Sequence, residues 1–243
     1  MIKAKKHKNI LEICKEIDLI IEKKDNKSNY KDLHLDMLIT LNNEFNYSEI
    51  VTYCSTVLKI ATTKNRILRY LEKDFWFFIN ELPFKILNEQ DFEIVEDEEI
   101  APDIDYENQW KRILSRILGL SIEILKLPDD NSNGSELRRA NALKLIAELN
   151  NYYIVPDAKI IFMNSIKSKN RSEQLYALEG LENYYNLSEE TIDEDLLNTL
   201  NEIYDEADDR VIASTCLQIQ INAGIIDELT AVFEMDDWKD EHY

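Results

Sequence analysis

Glycine and proline are scarce in this chain, whose 243 residues contain only four of each. Folds built from strands need many tight turns, and these two residues form a large share of such turns. Their scarcity leaves long segments without a break, and 44% of the residues are hydrophobic, which is enough to build a core. The sequence therefore predicts an all-α protein.

Residues 1–90 contain four segments with apolar side chains at the i, i+3, i+4, i+7 spacing of amphipathic helices. We predict an N-terminal region of four helices. The fourth contains the run Phe75-Trp76-Phe77-Phe78, which is apolar on all sides. This run favours a helix buried between neighbours, and an aromatic binding groove is the alternative.

Residues 91–107 form an acidic stretch without a helical apolar face, which indicates a loop or linker. Alternating acids near its end are spaced like the first ligands of an EF-hand calcium loop. That loop needs Gly at its sixth position and Glu at its twelfth, where this chain has Asn108 and Leu114. We therefore predict no calcium site here. A helix from about Tyr106 to Lys126 follows, and Ser135 is predicted to cap the next one.

Residues 108–243 contain three segments that align with one another: RRANALKLIAEL from Arg138, EQLYALEGLENY from Glu173 and VIASTCLQIQIN from Val211. Small or apolar residues recur at their fifth, sixth and ninth positions. A second helix is predicted after each segment, the first of them beginning at Pro156 and the third introduced by Gly224. Small residues such as Gly180 predict close approach between helices.

These helix pairs resemble the units of HEAT and armadillo repeat proteins, over about 135–237. The resemblance implies a right-handed stack of antiparallel helix pairs, an α-solenoid, whose second helices line a concave binding face. The Asp and Val-Arg often found at the start of HEAT units occur here only in fragments, such as Val211 after Asp208 and Asp209. The four N-terminal helices are either diverged units or a separate bundle.

Charge is distributed unevenly along the chain. Residues 1–90 carry 15 Lys and Arg against 13 Asp and Glu, whereas residues 171–243 carry 3 against 20. A negative field of this size repels nucleic acid and anionic membranes and attracts basic proteins. A role in solubility alone is the simpler alternative.

The second helix of the middle copy is the candidate binding site. Its predicted buried side consists of Leu196, Leu197, Leu200, Ile203 and Tyr204. The opposite side carries six polar residues, which we predict to bind the partner: Glu194, Asp195, Asn198, Glu202, Asp205 and Glu206. The alternative is a solvated helix face, in which acids favour the helix N-terminus. That alternative does not account for the acids near the C-terminal end.

The sequence contains no catalytic, cofactor-binding or metal-binding motif. Its three histidines, His7, His34 and His242, are far apart, and its three cysteines fall in helical apolar patterns, which predicts buried free thiols. No apolar run reaches the roughly 18 residues of a membrane span, and the basic start lacks the apolar segment of a signal peptide. We expect a cytoplasmic protein. Arg171 and Arg210, at the starts of first helices, are expected to pair with acids of adjacent repeats.

These features predict a non-enzymatic protein that holds a basic protein partner, as an immunity protein or a chaperone does. The abundance of Lys, Ile and Asn is typical of an AT-rich bacterial genome. Two alternatives remain open: a HEAT-like lyase or hydrolase that uses carboxylates in its groove, and a structural module of a larger assembly. The sequence does not predict the oligomeric state.

Overall fold

The structure is a computed structural model, and it describes residues 9–22, 33, 36, 47–63, 68, 72–73, 75–77, 79–81, 104–128, 133–151 and 155–242. Within these ranges the ordered elements are helices and no strand is present, so the prediction of an all-α fold is confirmed. No helix in this part of the chain is both long enough and apolar enough to cross a membrane.

Nine of the described helices have defined ends. They are α1 (Ile10–Ile21), α2 (Tyr47–Thr62), α3 (Ile104–Leu125), α4 (Asn133–Asn150), α5 (Ala158–Met163), α6 (Arg171–Leu187), α7 (Glu194–Glu206), α8 (Arg210–Asn222) and α9 (Glu228–His242). The chain divides into two compact units, Met1–Arg138 and Arg139–Tyr243, with the division inside α4. Of the linker predicted at 91–107, residues 91–103 lie outside the described residues, and residues 104–107 belong to α3 instead of a loop.

Unit 1 contains α1, α2 and α3, in which α1 packs against α2 and α2 against α3. Helix α1 begins with a capping box, because the Asn9 side chain accepts from the Glu12 amide and the Glu12 carboxylate accepts from the Asn9 amide, both at 2.9 Å. Phe75 and Trp76 are buried, and the Phe75 ring stacks on Tyr53 with centroids 5.1 Å apart. The buried interpretation of the aromatic run is confirmed for these two residues. Phe77 is 48% exposed, and Phe78 lies outside the described residues.

Unit 2 is arranged around α6 and α8. Helix α6 packs against α5 and α8, and α8 also packs against α7 and α9. The aligned positions of the three segments are buried in every copy, as the alignment requires. These positions are Ala142, Ala177 and Thr215, then Leu143, Leu178 and Cys216, then Ile146, Leu181 and Ile219.

Gly180 lies where α6 crosses α5. A Cβ atom at this position would come closer than 3.0 Å to the ring of Phe162, which is itself fully buried. The predicted close approach between helices at Gly180 is therefore confirmed, and the two helices are α6 and α5.

Two predicted helix starts are wrong. Helix α4 begins at Asn133, so Ser135 lies inside it as a buried residue instead of capping it. Helix α5 begins at Ala158, and Pro156 lies in the preceding turn. Asp157 adopts a left-handed conformation with φ of 60° in that turn, which short polar side chains tolerate. The turn places the helix start two residues after the proline.

Candidate functional site

Packing of one side of α7 fixes which residues its other side presents. Asp193 caps the helix by accepting a 2.9 Å hydrogen bond from the Leu196 amide. Leu196 and Leu200 are fully buried and Ile203 is 8% exposed, so the helix is held with these residues inward. Its rotation about its own axis is therefore set by the hydrophobic stripe.

The six predicted partner-binding residues are all exposed on the opposite side of α7. We call this surface the acidic face; it consists of Glu194, Asp195, Asn198, Glu202, Asp205 and Glu206. Five of the six are carboxylates, which accept charge-assisted hydrogen bonds from Lys and Arg. The arrangement suits recognition of a basic surface.

The acids along this face differ in their electrostatic setting. Glu194 and Asp195 occupy the first turn of α7, where the helix dipole favours negative charge. Asp205 and Glu206 are in the last turn, which contains no basic residue, so the dipole disfavours them there. Glu202 pairs with Lys167 at 3.2 Å, but both side chains are more than 60% exposed, and such pairs contribute little.

The segment that leads into α7 is tied to the preceding helices. Glu190 accepts a 2.8 Å hydrogen bond from the Tyr184 hydroxyl and a 3.3 Å bond from Lys159 Nζ. These hydrogen bonds, that from Tyr184 first, lower the pKa of the Glu190 carboxyl. Lys159 also lies 3.7 Å from the carboxylate of Asp193. These contacts position the N-terminal end of the acidic face.

A cleft that sequence reasoning missed lies beside the acidic face. It has a volume of about 290 Å³ and is lined by residues from α7, α8, α9 and the turn before α9. The Tyr204 hydroxyl donates a 2.6 Å hydrogen bond to the backbone carbonyl of Glu234, which connects α7 to α9. Asp205 belongs to both the acidic face and the cleft lining. The sequence assigned Tyr204 to the buried stripe, whereas its side chain is half-buried.

Two further carboxyl groups became apparent only from the structure. Glu179 and Glu182 lie half-buried on α6, and burial raises the pKa of both. The charge of Glu179 raises the pKa of Glu182 further, while Lys144 opposes the shift at Glu179. Neither residue lines the cleft. No spacing in the sequence distinguishes them, because their burial depends on neighbouring elements.

The three cysteines and His242, residue types that often serve in catalysis or metal binding, lie in surroundings that indicate a structural role. Burial raises the pKa of the Cys14 thiol to about 11 and those of Cys54 and Cys216 to about 12. The predicted buried free thiols are confirmed. The His242 ring stacks on Trp238 with centroids 4.4 Å apart, and His7 and His34 lie outside the described residues. Among the described residues, no three His, Cys, Asp or Glu side chains are grouped so that they could hold a metal ion.

Comparisons with known proteins give no relative for this chain: no family model matches it, and neither a curated protein nor a solved structure is significantly similar to it.

Proposed function

We propose that this chain is a HEAT-like α-solenoid that binds a basic protein through the acidic face of α7. In this proposal the helix pairs of unit 2 are repeats in a right-handed stack, and the protein acts by binding instead of by catalysis. Its role is to neutralise or escort the partner, as immunity proteins and chaperones do.

Hydrogen bonds between equivalent helices support the repeat arrangement. Asn183 Nδ2 of α6 donates to the Ala147 carbonyl of α4 at 3.0 Å, and Asn222 Nδ2 of α8 donates to the Glu182 carbonyl of α6 at 3.1 Å. Ala147 and Glu182 both occupy the tenth position of their aligned segments. The same kind of contact therefore connects each first helix to the one before it.

Ion pairs at the other end of these helices support the same arrangement. Arg139 Nε of α4 lies 3.2 Å from the carboxylate of Glu173 on α6. Arg171 of α6 pairs with Asp209, the residue that caps α8. Arg171 thus has an ion pair of the kind expected between adjacent repeats, whereas Arg210 is exposed and has no ion pair within the described part of the chain.

The observation that carries the binding proposal is the location of Asp205 and Glu206. They face solvent in the last turn of α7, where negative charge is unfavourable by about 0.3–1 kcal/mol for each acid. Neither helix stability nor packing explains two acids at this end. A basic partner that covers the acidic face would neutralise them.

The test begins by recovering the partner through affinity purification. The association rate of the partner with the chain is then measured at two salt concentrations. We expect fast association that slows with added salt, because mobile ions screen such steering within about 10 Å at 0.1 M. The variant Asp195→Asn, Glu202→Gln, Asp205→Asn should keep its stability, because the replaced side chains are exposed and the amides preserve their shape. It should bind the partner more weakly. If the replaced acids lie at the rim of the interface, the association rate should fall; if they are buried against the partner, the dissociation rate should rise.

A charge-matched control is the variant Glu12→Gln, Glu81→Gln, Glu123→Gln, which removes three exposed acids from unit 1. Glutamine also serves at the Glu12 position of the capping box. This control should bind nearly as the parent does. If the α7 variant binds like the parent at both salt concentrations, the acidic face is only a solvated surface and the proposal is wrong.

A further inference from the structure

Helix α9 has apolar side chains on two opposite sides. Ala231 and Trp238 are buried, at 7% and 3% exposure. Leu229, Val232 and Phe233 are 64%, 55% and 62% exposed. Their i, i+3, i+4 spacing places these three on one face of the helix, and we call them the outer patch of α9.

The outer patch differs from the isolated apolar residues that every protein surface contains. A helix that packs on one side only carries polar residues on the other, and contiguous exposed apolar groups mark interaction sites. Ile160 on α5 provides the contrast, because it is 60% exposed without an apolar neighbour at helical spacing that is equally exposed. The outer patch is thus a surface suited to being covered.

Charge around the patch restricts what covers it. Asp227 and Glu228 precede the patch, and Asp236 and Asp240 follow it at helical spacing along the same stripe; all four are exposed. Residues 227–242 contain seven Asp and Glu but a single Lys. A second copy of the chain, in either direction, would bring acid against acid, which opposes a symmetric dimer through this face.

We propose that the outer patch of α9 binds an amphipathic basic helix of another protein. The apolar side chains of that helix, spaced i, i+3, i+4, pack on Leu229, Val232 and Phe233. Its Lys and Arg side chains lie against the acids at both ends of the patch. This proposal goes beyond the acidic face of α7, since it concerns a different helix and needs apolar contact as well as charge.

The test uses a synthetic, fluorescently labelled peptide of about 18 residues, with Leu along one helical face and Lys on the other, titrated into the full chain. We expect saturable binding that weakens with added salt. Leu229→Ser with Phe233→Ser should raise the Kd by about tenfold or more, because it removes two of the three apolar side chains that the leucines of the peptide would cover. Ile160→Ser, the matched control, should leave the Kd unchanged.

A second variant leaves the apolar side chains in place. The variant Asp236→Lys, Asp240→Lys replaces exposed side chains, so α9 should still form. The variant should bind the peptide more weakly than the parent does, and its binding should depend less on salt. Circular dichroism checks that each variant keeps the parent's helix content.

Four outcomes would overturn the proposal. Equal binding of a control peptide with Ser in place of Leu would show that the interaction is electrostatic only. Unchanged binding by both α9 variants would place the peptide elsewhere, and loss of binding in the α7 amide variant alone would assign it to the acidic face. A dimer in sedimentation velocity that the Leu229→Ser, Phe233→Ser variant converts to monomer would identify a second copy as the occupant.

Discussion

Gly180 allows α6 to approach α5 as closely as it does. Its missing side chain leaves the space that the buried Phe162 ring occupies. Gly119 in α3 is a different case, because a Cβ there would meet only a side-chain atom of Arg116, at an ordinary contact distance of 3.6 Å. The two glycines have the same helical backbone but different surroundings.

Gly180→Ala should destabilise the protein although alanine favours helix. The overlap with Phe162 should cost about 1–3 kcal/mol, which exceeds or matches the gain of about 0.8–1.0 kcal/mol in helix propensity. Gly119→Ala gains the same propensity without a collision and should be neutral or stabilising. Urea unfolding of both variants measures the difference, and equal free energies of unfolding would mean that position 180 is not tightly packed in solution.

At the scale of elements, the ends of successive helices are joined by side chains. Asp209 both caps α8, by accepting a 2.8 Å hydrogen bond from the Val211 amide, and pairs with Arg171 of α6. The hydrogen bond from Arg171 lowers the pKa of the Asp209 carboxyl most strongly, and the backbone bond adds to it. One carboxylate thus stabilises a helix start and its contact with the neighbouring helix.

Arg171→Gln should lower the free energy of unfolding by up to about 1 kcal/mol at neutral pH, the range of exposed ion pairs. Arg210→Gln, which replaces the first residue of α8 as Arg171→Gln does for α6, should have no effect. Because the pKa of Asp209 is lowered by folding, the stabilisation is present above the unfolded-state pKa of about 3.9 and is lost as pH falls through the lower folded value.

Urea unfolding of both variants and the parent at pH 7 and at about pH 3 measures this contribution. The difference between Arg171→Gln and the parent should shrink in acid. Equal losses in the two arginine variants, or a difference that grows in acid, would show that the pair with Asp209 does not stabilise the contact.

At the scale of the whole molecule, the three thiols report on both units. Cys14 and Cys54 belong to unit 1 and Cys216 to unit 2, and all are buried. Burial raises their pKa to about 11 for Cys14 and about 12 for the others, so the folded protein has almost no reactive thiolate at pH 8.

We expect no reaction of the native protein with a thiol-specific reagent at pH 8 and full reaction in urea. Single-cysteine variants, in which the other two residues are replaced by alanine or serine, would show at which urea concentration each unit opens. Raised thiol pKa values also predict that stability falls as pH rises above about 9, where the unfolded chain loses these protons first. Rapid reaction of any thiol in native buffer would contradict the burial.

Local spacing in the sequence predicted the helices and the buried positions of the three aligned segments. The stripe of α7 and the aligned residues such as Ala177 and Leu178 follow from one helical period, which is a property of neighbouring residues along the chain. The same period places the six residues of the acidic face on one side of α7. Whether they bind a partner remains a proposal, because exposure alone does not distinguish a binding face from a solvated one.

Tertiary packing decided the features that no local pattern contains. The turn at Asp157 places the start of α5 two residues after the predicted start. The half-burial of Glu179 and Glu182 comes from elements distant in the sequence. The spacing of Tyr204 places it in the hydrophobic stripe of α7, yet its hydroxyl donates a hydrogen bond to α9 and the residue lines a cleft. The sequence by itself determined which residues share a helix face, because that depends on a fixed helical repeat. Only the tertiary structure decided which faces are covered, because burial depends on partners brought together by folding.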